Sequence, residues 1–270
     1  MIPARFDYVR AEAAEQAVQL LAQHGDQARL LAGGQSLIPL MKLRLAMPGV
    51  LIDIGRIAEL RYIRLDGDDV AIGALTRGHD LETSAMLRTE IPMLAHVAAQ
   101  VGDPQVRARG TLGGTLAQGD AASELPTAVL ALGGTMVMCG PGGTRTVAAT
   151  EFFKGTFSTA IKPDEMLVEV RLPRLAGRGW GYQKFTRRAN DWPIVAVAAV
   201  DGRVALANSA ETVIRAHATE EAIRAGASIS DAARVADREA TPTADMHGSI
   251  NYHRHLIRVL TERALEAAAG

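Results

Sequence analysis

Apolar residues recur at helical spacing from Arg10 to His24, with Ala14, Ala17, Val18, Leu20 and Leu21 on one face and Gly25 as a stop. Ala28 to Ala32 then reads as a short strand running into Gly33-Gly34-Gln35-Ser36 and the apolar Leu37-Ile38-Pro39-Leu40-Met41. Ser36 is placed to cap a helix whose first turn tolerates Pro39. Val50 to Ile54 is a second strand, so the first 55 residues predict a small β/α unit with a glycine-rich strand-to-helix turn. Further strands are predicted at Asp69–Leu75, Met136–Cys139, Arg145–Val147, Met166–Leu172 and Tyr182–Thr186. Helices are predicted near 78–87, 91–101 and 124–132, the last stopped by Gly133-Gly134, and the stretch 102–110 reads as irregular. A mostly antiparallel sheet with inserted helices fits this middle section. Beyond Trp180 the texture changes. A hairpin around Asp201-Gly202 joins Ile194–Val200 to Arg203–Ala207, helices follow near 220–225 and 230–236, and a long periodic helix covers 251–268.

The length of 270 residues corresponds to about two domains at roughly 150 residues each. Lys and Arg number 29 against 30 Asp and Glu, a net charge of -1 that argues against nucleic acid as the main partner. The one cysteine, Cys139, makes no internal disulfide and holds neither an iron–sulfur cluster nor a cysteine-rich zinc site. No signal-peptide core opens the chain and no run approaches a membrane span, so a cytoplasmic protein without a transmembrane segment is expected.

The 26 glycines collect in a few turns. Ala32-Gly33-Gly34-Gln35-Ser36 and Thr111-Leu112-Gly113-Gly114-Thr115 share a grammar of turn, glycine pair and short polar residue. Glycine lets the chain approach a ligand closely, and consecutive N–H groups in such a turn form a concavity suited to a phosphate oxygen. Ser36, Thr111 and Thr115 add hydroxyl donors. The plainer reading is that these pairs mark turns and nothing more. There is no Gly-x-Gly-x-x-Gly after a strand, no Gly-Lys pair, no His-Glu-x-x-His and no Gly-x-Ser-x-Gly. His253 and His255 lie two apart on a helix and point in different directions, which favours solvated side chains over metal ligands.

Taken together, these strings resemble the FAD-binding medium subunit of the molybdenum hydroxylases, the family of bacterial carbon monoxide dehydrogenase and of the flavin domain of xanthine dehydrogenase. The resemblance rests on Ala32 to Pro39, Leu43-Arg44, Ile52-Asp53-Ile54, Ile72 to Thr76, Val101 to Arg107, Arg109 to Gly114 and Tyr252 to Leu256, and it covers nearly the whole chain. It implies an α+β architecture: a two-subdomain flavin fold of the vanillyl-alcohol-oxidase (VAO/PCMH) type, over residues 1–55 and 56–178, and an α+β domain of the CO dehydrogenase flavoprotein C-terminal type over 179–270. It also implies that Ala32, Gly33, Gly34, Gln35, Ser36 and Leu37, with Thr76, Thr111, Gly114 and Thr115, bind FAD, the glycine turns wrapping its pyrophosphate. Glu124 falls where the family places an acid near the ribose or adenine end; by position alone it is equally a first-turn helix carboxylate. Leu167 matches a contact to the flavin ring, or a buried strand leucine. Lys184 matches a lysine near the flavin's polar edge, or a surface strand lysine. Trp192 stands where relatives carry an aromatic beside the isoalloxazine, or packs in a core. Gln35, Thr115 and Gln118 depart from the His, Asn or Asp, and His that family members often carry there.

The resemblance further implies a division of labour. Substrate is hydroxylated at molybdopterin on a large subunit, and two [2Fe–2S] clusters on a small subunit deliver electrons to FAD on this one, which passes them to NAD or another acceptor. A dimer of heterotrimers is the implied assembly. No catalytic acid, base or nucleophile and no metal ligand is expected from this chain. The alternatives are a stand-alone flavin oxidoreductase of related fold, or a non-catalytic scaffold subunit that has lost FAD.

Overall fold

The computed structural model describes residues 2–270. The chain opens with β1 (Asp7–Arg10), α1 (Ala14–His24), β2 (Ala28–Leu31), α2 (Leu37–Lys42) and β3 (Val50–Asp53). The three strands form a parallel sheet in the order β1-β3-β2. α1 buries Ala14, Ala17, Val18 and Leu21 against it and stops at Gly25, whose φ of 54° lies in the left-handed region. β1 is a departure from the sequence reading, which began a helix at Arg10. The segment Asp7-Tyr8-Val9-Arg10 is mostly exposed, so it lacks the apolar signal of a strand and is set by pairing with β3.

Next come β4 (Ile63–Asp66), β5 (Asp69–Gly73), α3 (Gly78–Thr83), α4 (Ala85–Glu90), α5 (Pro92–Ala99), α6 (Pro104–Arg109), α7 (Leu112–Gln118) and α8 (Glu124–Leu132). They are followed by β6 (Thr135–Gly140), β7 (Gly143–Ala148), α9 (Ala149–Phe152), β8 (Phe153–Gly155), β9 (Ser158–Thr159) and β10 (Met166–Pro173). The expected antiparallel sheet is present in the order β4-β5-β10-β6-β7. Two expectations fail here. Residues 104–109 are helical, because the Asp103 carboxylate accepts the Val106 N–H at 2.8 Å and Pro104 takes the first helical position. The second glycine pair is not a turn but the first turn of α7, capped by the Thr111 hydroxyl, which accepts the Gly114 N–H at 3.2 Å.

The last part holds β11 (Trp180–Phe185), β12 (Val195–Val200), β13 (Arg203–Ala207), β14 (Ile214–Arg215), α10 (His217–Arg224), α11 (Ile229–Ala233) and α12 (Ile250–Ala269). Its sheet runs β11-β12-β13-β14. Asp201 and Gly202, both at positive φ, make the predicted hairpin turn. β11 lies directly on α12: a Cβ on Gly179 or Gly181 would sit 2.0 or 1.9 Å from the carbonyl oxygens of Ala268 and Ala264. His253 is buried on α12, not solvated as expected, and its Nε2 lies 3.2 Å from Asp245 Oδ1; His255 is exposed.

Every residue of α8 is buried. A helix buried on all sides and mostly apolar belongs inside a core, and α8 packs against α5, β12 and β13. The largest apolar cluster therefore runs without a break from Val70 and Ile72 of the five-stranded sheet to Ala198 and Ala205 of the last one. No helix among the described residues is long and apolar enough to cross a membrane.

Candidate functional site

The two glycine segments meet. Gly33 lies so close to the end of α6 that a Cβ there would stand 2.2 Å from the Arg109 carbonyl oxygen and 2.9 Å from Gly110 Cα. Gly113 is pressed in the same way on Ala74, where a Cβ would come within 2.7 Å of a carbonyl oxygen. Two adjoining chambers open at this junction, of about 230 and 270 Å³. They share Gln35, Ser36, Gly110, Thr111, Thr115 and Gln118 as a common wall. The first chamber extends from that wall to Glu124, Leu125, Asp191 and Trp192. The second extends to Leu30, Ile54, Met166 and Leu167 and is lined by Ala32, Gly33, Gly34, Leu37 and Gly114.

The two segments do not offer the same donors. In the first, the N–H groups of Gly33, Gly34, Gln35 and Ser36 have no acceptor within the chain among the described residues. Gly34 at φ 77° turns them toward one concavity. Ser36 precedes α2 as expected, but its hydroxyl accepts no backbone N–H, so it too is free. In the second segment the amides are already used. Leu112 N–H donates to Thr76 O at 2.9 Å, Gly113 N–H to Ala74 O at 2.8 Å, and Thr115 N–H to Thr111 O at 3.0 Å. What α7 turns toward the chambers is therefore the hydroxyl groups of Thr111 and Thr115 and the bare Cα of Gly114.

Behind the first chamber lies a buried ion pair. Lys184 Nζ donates to Glu124 Oε1 at 2.7 Å and to the Gln100 carbonyl at 2.9 Å, with both charged side chains about 5% exposed or less. Burial raises the Glu124 pKa and the Lys184 ammonium works against that rise. Tyr182, two residues before Lys184 on β11, is buried with a hydroxyl that has no partner among the described residues. Burial, and secondarily the Glu124 charge, pushes that phenol well above its ordinary value. Sequence reasoning missed Tyr182, because an alternating strand does not tell which aromatic faces a charge.

The pair joins two residues that the resemblance places apart: Glu124, expected near the ribose or adenine end, and Lys184, expected near the flavin edge, are in direct contact. Trp192 lines the same chamber as Glu124 and is 56% exposed, which removes core packing as its role. Leu167, expected at the flavin ring beside Trp192, lines the other chamber. Lys184 is no surface lysine and stands behind the chamber wall without lining it. Thr76 lines neither chamber: its buried hydroxyl donates to the Tyr62 carbonyl at 3.0 Å, and its own carbonyl holds α7. The remaining expected residues, Ala32, Gly33, Gly34, Gln35, Ser36, Leu37, Thr111, Gly114 and Thr115, all lie on the chambers.

This donor set fits a dinucleotide such as FAD. Unpaired backbone amides and hydroxyls face the shared wall, no lysine lines either chamber, and the two linings that carry arginine already engage it. Arg107 is held by Glu82 at 2.8 Å, and Arg29 donates to the Ala28 carbonyl at 2.7 Å. Neutral N–H groups can bind a diphosphate while leaving its charge for the rest of the molecule.

Comparison with known proteins agrees with this geometry. Residues 4–175 match the model of the FAD binding domain in molybdopterin dehydrogenase, and residues 180–268 that of the CO dehydrogenase flavoprotein C-terminal domain. The carbon monoxide dehydrogenase medium chain of Hydrogenophaga pseudoflava is 41% identical over 99% of this chain and 98% of the relative. Subunit alpha of the 6-hydroxypseudooxynicotine dehydrogenase complex of Paenarthrobacter nicotinovorans is 37% identical over 99% and 96%. The solved carbon monoxide dehydrogenase of Hydrogenophaga pseudoflava that lacks the Mo-pyranopterin moiety of the molybdenum cofactor matches with a TM-score of 0.97 and 42% identity, covering 100% of this chain and 99% of that one. With the cradle, the two chambers and these matches in place, the chain belongs to the FAD-binding medium-subunit family of the molybdenum hydroxylases.

Proposed function

We propose that this chain seats FAD across both chambers and relays electrons from the [2Fe–2S] clusters of a small partner subunit to NAD or another acceptor. A large molybdopterin subunit would complete the complex, as a dimer of heterotrimers. The observation that carries the reading is the row of unpaired N–H groups from Gly33 to Ser36, facing the hydroxyl groups of Thr111 and Thr115 across one shared wall. When bound, the flavin supplies one- and two-electron chemistry. The residues of this chain bind, orient and shield it. The amides of 33–36 take the diphosphate. The second chamber, with Leu30, Ile54, Met166 and Leu167, takes the adenine end. The first chamber takes the ring end, where Glu124, held from behind the wall by Lys184, gives a polar edge and Trp192 limits water at the outer rim.

The test is direct. Purified chain should show a flavin spectrum at one FAD per chain, and Gly114→Asp should remove it by placing a carboxylate in the second chamber. A yellow Gly114→Asp protein, or a colourless wild type that does not take up FAD, would sink the reading. The wild-type chain alone should hydroxylate no substrate.

A further inference from the structure

We propose that Glu124 sets the reduction potential of the bound flavin below that of free FAD, with Lys184 as the positioning residue that keeps its carboxylate in place. The inference rests on the reading above, in which the ring lies in the first chamber, and adds what this chain does to the ring.

The observation is an order of charges. Glu124 lines the first chamber and Lys184 does not, so the carboxylate stands between the cavity and an ammonium 2.7 Å behind it. The Gln100 carbonyl takes a second Lys184 proton at 2.9 Å, which fixes the ammonium on that side. Both side chains are buried, so water screens neither charge well, and the charge nearer the cavity outweighs the one behind it. Glu124 is also the first residue of α8, where its carboxylate offsets the positive end of that helix. Packing alone does not call for such a pair, since apolar side chains of similar volume serve a buried joint as well as an ion pair does. A buried pair on a cavity wall points to an electrostatic task.

The rest of the wall has the same sign. Asp103 and Asp191 also line the first chamber, and its one lining cation, Arg107, is held at 2.8 Å by Glu82. Arg188, which pairs with Asp191 at 3.0 Å, is not part of the lining. Burial, and then the Glu124 charge, keep the Tyr182 phenol un-ionised, so it adds no charge.

Two electrons and one proton turn the oxidised ring into a reduced ring that bears one negative charge. A wall that is negative next to the cavity disfavours that charge. Oxidised flavin is then bound more tightly than reduced flavin, and electrons arriving from the iron–sulfur subunit are passed on and not held. Each tenfold between the two affinities lowers the potential of a two-electron couple by about 30 mV.

The test titrates the FAD-loaded full chain against a reference dye in a spectroelectrochemical cell at neutral pH. The wild-type potential should lie below that of free FAD. Glu124→Gln/Lys184→Met removes both charges at nearly constant shape, and should raise the potential by about 30 mV, a tenfold change in the ratio of affinities. Glu124→Gln alone leaves the ammonium unopposed and should raise it further, so either variant that retains FAD decides the question. Arg215→Met/Glu220→Gln removes a buried pair that lines neither chamber, and should leave the potential at the wild-type value. A wild-type potential at or above that of free FAD overturns the proposal without any variant. So does an unchanged or lowered potential in the double variant at Glu124 and Lys184, or an equal rise in the double variant at Arg215 and Glu220. A wild-type chain that takes up no FAD fails the reading beneath the proposal, whereas a yellow chain with an unshifted potential fails the proposal alone.

Discussion

The contact between the two glycine segments makes a sharp prediction at Gly33. A methyl group there would lie 2.2 Å from the Arg109 oxygen and 2.9 Å from the Arg109 carbonyl carbon and Gly110 Cα. All three are backbone atoms, so no side chain can swing aside. Ordinary contact begins near 3.4 Å, so Gly33→Ala must part the segments by about 1.2 Å. Overpacking of this kind costs about 1–3 kcal/mol of stability. The same movement stretches a hydrogen bond of about 2.9 Å beyond useful length on one side of the shared wall. Losing one bond to a charged phosphate costs about 1.5–3 kcal/mol, or roughly 10- to 150-fold in FAD affinity. Affinity is measured by quenching of flavin fluorescence at fixed salt, and stability by urea unfolding of the flavin-free chain. Gly179→Ala is the control, because its Cβ meets the Ala268 oxygen at 2.0 Å with no chamber nearby; it should lower stability and spare the affinity of the folded fraction. Gly33→Ala protein that binds FAD within about twofold of wild type would show that the close approach serves packing alone.

Lys184→Met leaves Glu124 buried and unpaired, and should cost about 3–5 kcal/mol in urea unfolding near neutral pH. Because burial already raises the Glu124 pKa and Lys184 opposes it, the deficit should be smallest below the ordinary carboxylate range and grow as pH rises through it. Gly181→Ala drives a methyl group to 1.9 Å from the Ala264 oxygen and should cost about 3 kcal/mol, read from the urea midpoint. Arg145 donates to both Glu165 oxygens, at 2.7 and 2.6 Å, and these bonds hold that carboxyl below its usual range. That stabilisation is present above the ordinary carboxylate pKa and is lost as pH falls through the lowered one. Arg145→Met should therefore flatten the acid limb of the urea-midpoint profile, and an unchanged limb would contradict it.

Much of this fold was legible because local signals agreed with it. The helix 124–132, its stop at Gly133 and the Asp201-Gly202 hairpin each carry periodicity or turn chemistry of their own. Elements set by their neighbours were not: β1 is a polar strand that exists only beside β3, and α6 hides behind an Asp-Pro pair that also suits a loop. In the site, the glycine-rich strings named residues that do line the two chambers. They did not show that α7 spends its amides on Thr76, Ala74 and Thr111, which leaves the first segment alone with free amides. Nor did they place Lys184 against Glu124, since a contact between residues 60 positions apart leaves no trace in spacing.

The buried helix α8 has a kinetic consequence. It is packed by α5, β12 and β13, and its first residue, Glu124, is also a chamber wall. α8 thus ties the C-terminal sheet to the chamber wall, and parting the two would bare Leu125, Val129 and Leu132 to water. Amide hydrogens of α8 should then exchange only through the global unfolding of the chain, and at the same rate as those of β12 and β13 that pack on it.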